Sequence, residues 1–180
     1  MRLRFQILLA CFCAIAPVAA AARILPPACG DDKIKFDVKV EKGSLDLPPL
    51  APGKARLVFI ETLQKHGVIG RAATTRYGVD GAWVGGNKGD SYFVVDVDPG
   101  PHRVCANWQA INTTGQSVGV AQVNAAAGQV YYFEAAVLEM AESPGPGAVY
   151  TDIQFHFARI PPQAGQQRLQ TSGLSTFTSK

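Results

Sequence analysis

"KIKFDVKV", residues 33–40, places Ile34, Phe36, Val38 and Val40 on one side and Lys33, Lys35, Asp37 and Lys39 on the other. Strict alternation over eight positions marks a strand with one face in a core and the other in water. Similar short runs fill the chain that follows, separated by turn residues about every ten positions, the spacing of a β-sandwich. After a Pro-rich connector, "SLDLPPLAPGK" (44–54), comes "ARLVFIE" (55–61), an apolar run that suits a more buried strand. "TTRYGVDGAWVGG" (74–86) contains Asp80-Gly81, a favoured pair for a two-residue hairpin turn. "SYFVVDV" is expected to pair with "HRVCANWQ" across Pro99-Gly100-Pro101, and "VGVAQVNA" with "QVYYFEAAVL" across Ala127-Gly128. "VYTDIQFHFARI" supplies a last strand. The expected fold is all-β, an antiparallel β-sandwich of seven to eight strands, Ig-like or transthyretin-like, in which two packed sheets bury the aromatic and β-branched faces. "PPQAGQQRLQTSGL" offers a helical turn or two after Pro162, but its glycines and polar content favour an extended tail, and "STFTSK" is expected to fray or lie along the surface.

The first 22 residues stand apart. "MRLRFQILLACFCAIAPVAAAA" joins Arg2 and Arg4 to an apolar run and a small-residue end, the pattern of a secretory signal cleaved after Ala20 or Ala22. Leu8-Leu9-Ala10-Cys11 faintly matches a lipobox, a minor route to a lipid anchor through Cys11. No later segment carries the eighteen or so apolar residues that spanning a bilayer requires. The expected address is therefore exported, periplasmic or extracellular. Removing the leader takes two of seventeen basic residues and leaves fifteen against fourteen acidic ones. A near-neutral chain with no basic cluster has little electrostatic basis for binding nucleic acid. The remaining 158 or so residues suffice for one core.

Cys11 and Cys13 leave with the signal, so Cys29 and Cys105 remain. An even pair in an oxidising compartment suggests a disulfide, worth roughly 4 kcal/mol on chain-entropy grounds; two separate buried thiols are the alternative. With no Cys-x-x-Cys and no close Cys-His spacing, zinc is not expected.

The order of motifs from Lys54 to Leu138, "GKARLVFIE", "YGVDGAWVGGNKGDSYFVVDVDPGPHRVCANWQ" and "AAGQVYYFEAAV", resembles the bacterial domain-of-unknown-function 2846 family. That resemblance implies a sandwich similar to PEGA and carboxypeptidase regulatory-like domains, no enzymatic activity, and a Cys29–Cys105 disulfide recurring in an exported subgroup. It divides the chain into a signal peptide (1–22), an N-terminal strand and connector (23–53), a sandwich core (54–138) and a C-terminal strand with a polar tail (139–180).

Chemistry-bearing residues are sparse. A hydrolase needs a nucleophile beside a base, yet there is no Gly-x-Ser-x-Gly elbow and there are only three histidines, His66 at a loop tip, His102 beside a turn and His156 on the polar phase of a strand. Asp96, Asp98 and His102 surround one turn, but Asp98 before Pro99-Gly100 is expected from turn chemistry alone, so neither a metal nor a catalytic residue is assigned. "GGNKGD" (85–90) lacks the Ser or Thr and the helix of a phosphate-binding loop. Asn112-Thr113-Thr114 fits a glycosylation sequon and carries no weight. The recognition candidate is Trp83, just past a hairpin turn, with Asn87 and Lys88 as polar neighbours. Trp108 is expected in the core, and Tyr92 and Tyr132 fit either setting. These features imply an exported, non-catalytic envelope domain, needing no cofactor, that contacts an envelope protein or a surface polymer; the alternative is a small-ligand or glycan-binding module built around Trp83.

Overall fold

The computed structural model describes residues 25–43, 47–62, 73–109, 118–142 and 150–180. Among these residues ten strands and one helix follow in order: β1 (Phe36–Glu41), β2 (Ala55–Thr62), β3 (Thr74–Val79), β4 (Ala82–Lys88), β5 (Asp90–Val97), β6 (Gly100–Trp108), β7 (Val118–Ala125), β8 (Val130–Glu142), β9 (Tyr150–Ile160), α1 (Pro162–Leu169) and β10 (Gly173–Ser179). They form a six-stranded sheet in the order β1-β10-β5-β2-β8-β9 and a four-stranded sheet in the order β4-β3-β6-β7. The all-β sandwich expected from the alternating runs is therefore what the chain builds.

Its wiring departs from simple hairpins. The Asp80-Gly81 turn does join β3 to β4, with both residues at positive φ (50° and 88°), as a turn matched to strand twist requires. The Pro99-Gly100-Pro101 and Ala127-Gly128 turns do not pair the strands they connect. β5 lies in the six-stranded sheet and β6 in the four-stranded one, and β7 and β8 are split in the same way. Each turn is a corner between sheets, and proline, lacking an N–H, suits a corner better than a ladder. Because the chain leaves a sheet and later returns to it, β2–β8 and β10–β5 pair in parallel, whereas hairpins alone would give only antiparallel neighbours. The expected tail is also ordered. Residues 162–169 are helical, and β10 runs between β1 and β5.

The core between the sheets holds Leu57 together with Phe59, Tyr77, Phe93, Phe133 and Phe157, five aromatic residues whose rings meet at centroid distances of 5.0 to 6.1 Å. On the opposite face of the six-stranded sheet, Val58, Ile60, Tyr92 and Tyr132 pack beneath Leu169 of α1. β2 is thus buried on both faces, which is why "LVFI" (57–60) reads as a continuous apolar run. Gly165 sets the helix against the sheet: a Cβ there would stand 2.2 Å from the Tyr132 ring. Arg56, 5% exposed, clamps the connector by meeting Asp96 with two nitrogens, at 2.7 and 2.9 Å, and donating to the carbonyls of Pro48 and Pro49.

β1 alternates as its sequence demands, with Phe36 buried, Val38 and Val40 half-buried, and Asp37, Lys39 and Glu41 exposed. Ile34 breaks the pattern at 37% exposure, because the strand begins only at Phe36. The sandwich is also closed along both sides. β1 meets β4 at Gly86, where a Cβ would stand 3.2 Å from Val38, and β7 meets β9 at Gly119, where one would stand 2.4 Å from Phe157.

Candidate functional site

Residues 25–35 form a strap over the outer face of the four-stranded sheet. Cys29 is disulfide-bonded to Cys105 on β6, and Gly78 beside it leaves room for the strap, since a Cβ there would lie 2.9 Å from the Ala28 carbonyl. Arg76 on β3 donates to Asn107 at 2.7 Å and to the carbonyls of Asp32 and Ile34. Trp83 belongs to this assembly. Its ring is half-buried against Cys29 and Cys105, its indole N–H donates to the Asp31 carbonyl at 2.6 Å, and the Arg76 guanidinium sits 4.4 Å from its centroid. Among the described residues Trp83 covers the disulfide and pins the strap, so its polar atom is already engaged.

Asn87 lies elsewhere. It is fully buried on the inner face, where its amide nitrogen donates to the Phe59 carbonyl at 2.9 Å. Around it gathers a polar cluster that the sequence reading did not identify. Thr75 is paired with Asn87 on one side and with Trp108 on the other, and Glu61 projects from β2 in phase with Leu57 and Phe59. One Glu61 oxygen accepts from the Gly89 N–H at 2.9 Å. The other Glu61 oxygen, the Thr75 hydroxyl, the Asn87 carbonyl oxygen and the Trp108 indole N–H are buried without a hydrogen-bond partner. The Thr75 hydroxyl is near enough to favour the Glu61 anion, yet burial dominates and pushes the carboxyl up to about 8. Burial, reinforced by Glu61, likewise holds the Tyr77 phenol well above its usual value. The cluster is therefore neutral near pH 7, with Glu61 protonated. Its legible signal was phase: position 61 continues the inward phase of 57 and 59, so an acid there points into the core.

Gly89 links this cluster to the surface. Its N–H faces Glu61, while a Cβ at that position would meet nothing within 4 Å. It lines an open groove of 590 Å³ between the end of β1, the β4–β5 turn and the α1–β10 turn, with Lys42, Lys88, Thr171 and Ser172 on its walls. Lys88, the third recognition candidate, is thus exposed in this groove and separated from buried Asn87.

The acidic turn resolves into pairs. Asp96 is held by Arg56 and accepts from Ala51 N, and Asp98 pairs with Lys54 at 2.7 Å. His102 places one ring nitrogen 2.6 Å from an Asp80 oxygen and the other 2.7 Å from the Asp98 carbonyl. Two acceptors on one ring favour the doubly protonated form. Partial burial opposes that charge, but the Asp80 carboxylate and the Asp98 carbonyl prevail and raise the His102 pKa above the ordinary histidine value. Among the described residues no group of three or more His, Cys, Asp or Glu side chains is placed to hold a metal ion. Trp108, Tyr92 and Tyr132 are buried, and His156 is exposed on β9. His66 and the Asn112 sequon lie outside the described residues, as does the leader with Cys11. No helix among the described residues is long and apolar enough to cross a membrane. No family model, curated protein or solved structure matches the chain.

Proposed function

We propose that this chain is an exported, non-catalytic domain of the bacterial cell envelope that binds another envelope protein or serves as a structural module. One observation carries the reading, the Cys29–Cys105 bridge that fastens the N-terminal strap to the sheet. Such bridges persist in oxidising compartments and are rare in the cytosol, and the leader-like N-terminus agrees with that address. The resemblance to the domain-of-unknown-function 2846 family, with its Ig-like or transthyretin-like sandwich, belongs to the same reading. Beside the strap, Val120 stands opposite Cys105 at 52% exposure and gives this face an uncovered apolar contact point.

The test is the state of the chain in its own cell. Intact mass of the purified protein should show the leader removed and two hydrogens missing from the cysteine pair. A photo-crosslinker at Val120 should capture the same envelope component in repeated experiments. A chain that retains Met1 and carries two free thiols would overturn the reading. Trp83 is a poorer crosslinking position, because its ring is committed to the strap.

A further inference from the structure

Lys42 directly follows β1 and Lys88 closes β4; both are exposed, and neither joins an ion pair among the described residues. The same groove holds one carboxylate, Asp90, which is engaged in an interaction of its own. Its lining includes Gly43 and Gly89, where a Cβ would meet nothing within 4 Å, so a ligand can approach the backbone. One wall is the half-buried apolar pair Val38 and Val40. Thr171 and Ser172 line the groove as well, and their hydroxyls both donate to the Arg168 carbonyl, at 3.1 and 2.9 Å, which leaves oxygen lone pairs to accept.

We propose that this groove binds a uronic-acid type saccharide, with Lys42 and Lys88 on its carboxylate, Thr171 and Ser172 accepting from its hydroxyls, and Val38 and Val40 against the C–H face of its ring. The two lysines suit an anion and the hydroxyl acceptors suit a polyol, and the carboxylate of a sugar acid answers both. The proposal rests on the non-catalytic binding reading and adds to the Val120 face a second contact surface, at the end of β4 away from Trp83.

Titration of the isotopically labelled full mature chain with tri-galacturonate, followed by amide NMR at low salt, tests it. Shifts should concentrate at residues 42–43, 88–90 and 171–173, and the double variant Lys42→Glu/Lys88→Glu should weaken binding by about tenfold or more. Both side chains are exposed, so amide spectra elsewhere should stay unchanged and certify the fold. Equal binding of the neutral galactose trimer would overturn the carboxylate role, and equal binding of inorganic phosphate at the same amides would overturn the saccharide. No shifts, or shifts confined to other surfaces, would overturn the site itself. Failure here with intact Val120 crosslinks would leave the envelope role standing, whereas a cytosolic chain with free thiols would remove that role whatever the groove binds.

Discussion

Replacing Glu61 by glutamine keeps an oxygen for the Gly89 N–H and removes the proton whose loss strains the core. Its carboxyl is raised by burial from an ordinary 4.5 to about 8. Between those values the folded chain holds a proton that the unfolded chain has released, so its contribution is fully present below about pH 4.5 and is lost as pH rises through about 8. Urea unfolding of wild type and Glu61→Gln across pH 5 to 8 should therefore show the variant gaining relative stability with rising pH. The gain should reach at most about 1.4 kcal/mol per pH unit; parallel curves would show that Glu61 is ionised in the fold. His102 has the same sign for a different reason. Its raised pKa means that the link between the two turns is strongest below the ordinary histidine value and fades as pH climbs through the folded one. Imidazole NMR should locate that titration above the ordinary histidine value, and Asp80→Asn should bring it down.

At the scale of elements, α1 makes the sharpest case. It buries only Gly165 and Leu169, one turn apart, and the rest of "PQAGQQRL" is polar, so no apolar stripe announced it. A glycine that would lower confidence in a helix is here the residue that lets the helix lie on Tyr132. Gly165→Ala should lift α1 and cost about 1 to 3 kcal/mol despite the better helix propensity of alanine, whereas Gln163→Ala on the exposed face should be nearly neutral; thermal unfolding of both reads the contrast. Period-two alternation revealed β1, and continuous hydrophobicity revealed β2, because both report burial along a single strand. The partners of β5, β6, β7 and β8 were not legible, since a Pro-Gly-Pro or Ala-Gly turn looks alike whether the next strand folds back in the same sheet or crosses to the other. The binding candidates divided on the same ground. Trp83, Asn87 and Lys88 are close in sequence, but alternation and the strap send them to three environments.

For the molecule as a whole, the disulfide spans 76 positions and ties the strap to the far sheet. Cys29→Ala/Cys105→Ala should cost about 2 to 5 kcal/mol and shift Trp83 emission to the red as the strap loosens; emission unchanged in the double variant would show that Arg76 and the Trp83 N–H hold the strap unaided. The cysteine pair was legible from arithmetic, while the ring that seals it was not, since nothing local distinguishes a Trp that packs on a strap from one that faces a partner. The placement of β10 has a different reach. β1 has no neighbour in its sheet among the described residues except β10, and β10 also covers the flank of β5. A chain cut before Gly173 would leave β1 without a ladder and β5 with a bare edge, ready to pair with other chains. Copies cut there would therefore advertise themselves to proteases and chaperones, so that the fold carries its own check on whether the chain extends through β10.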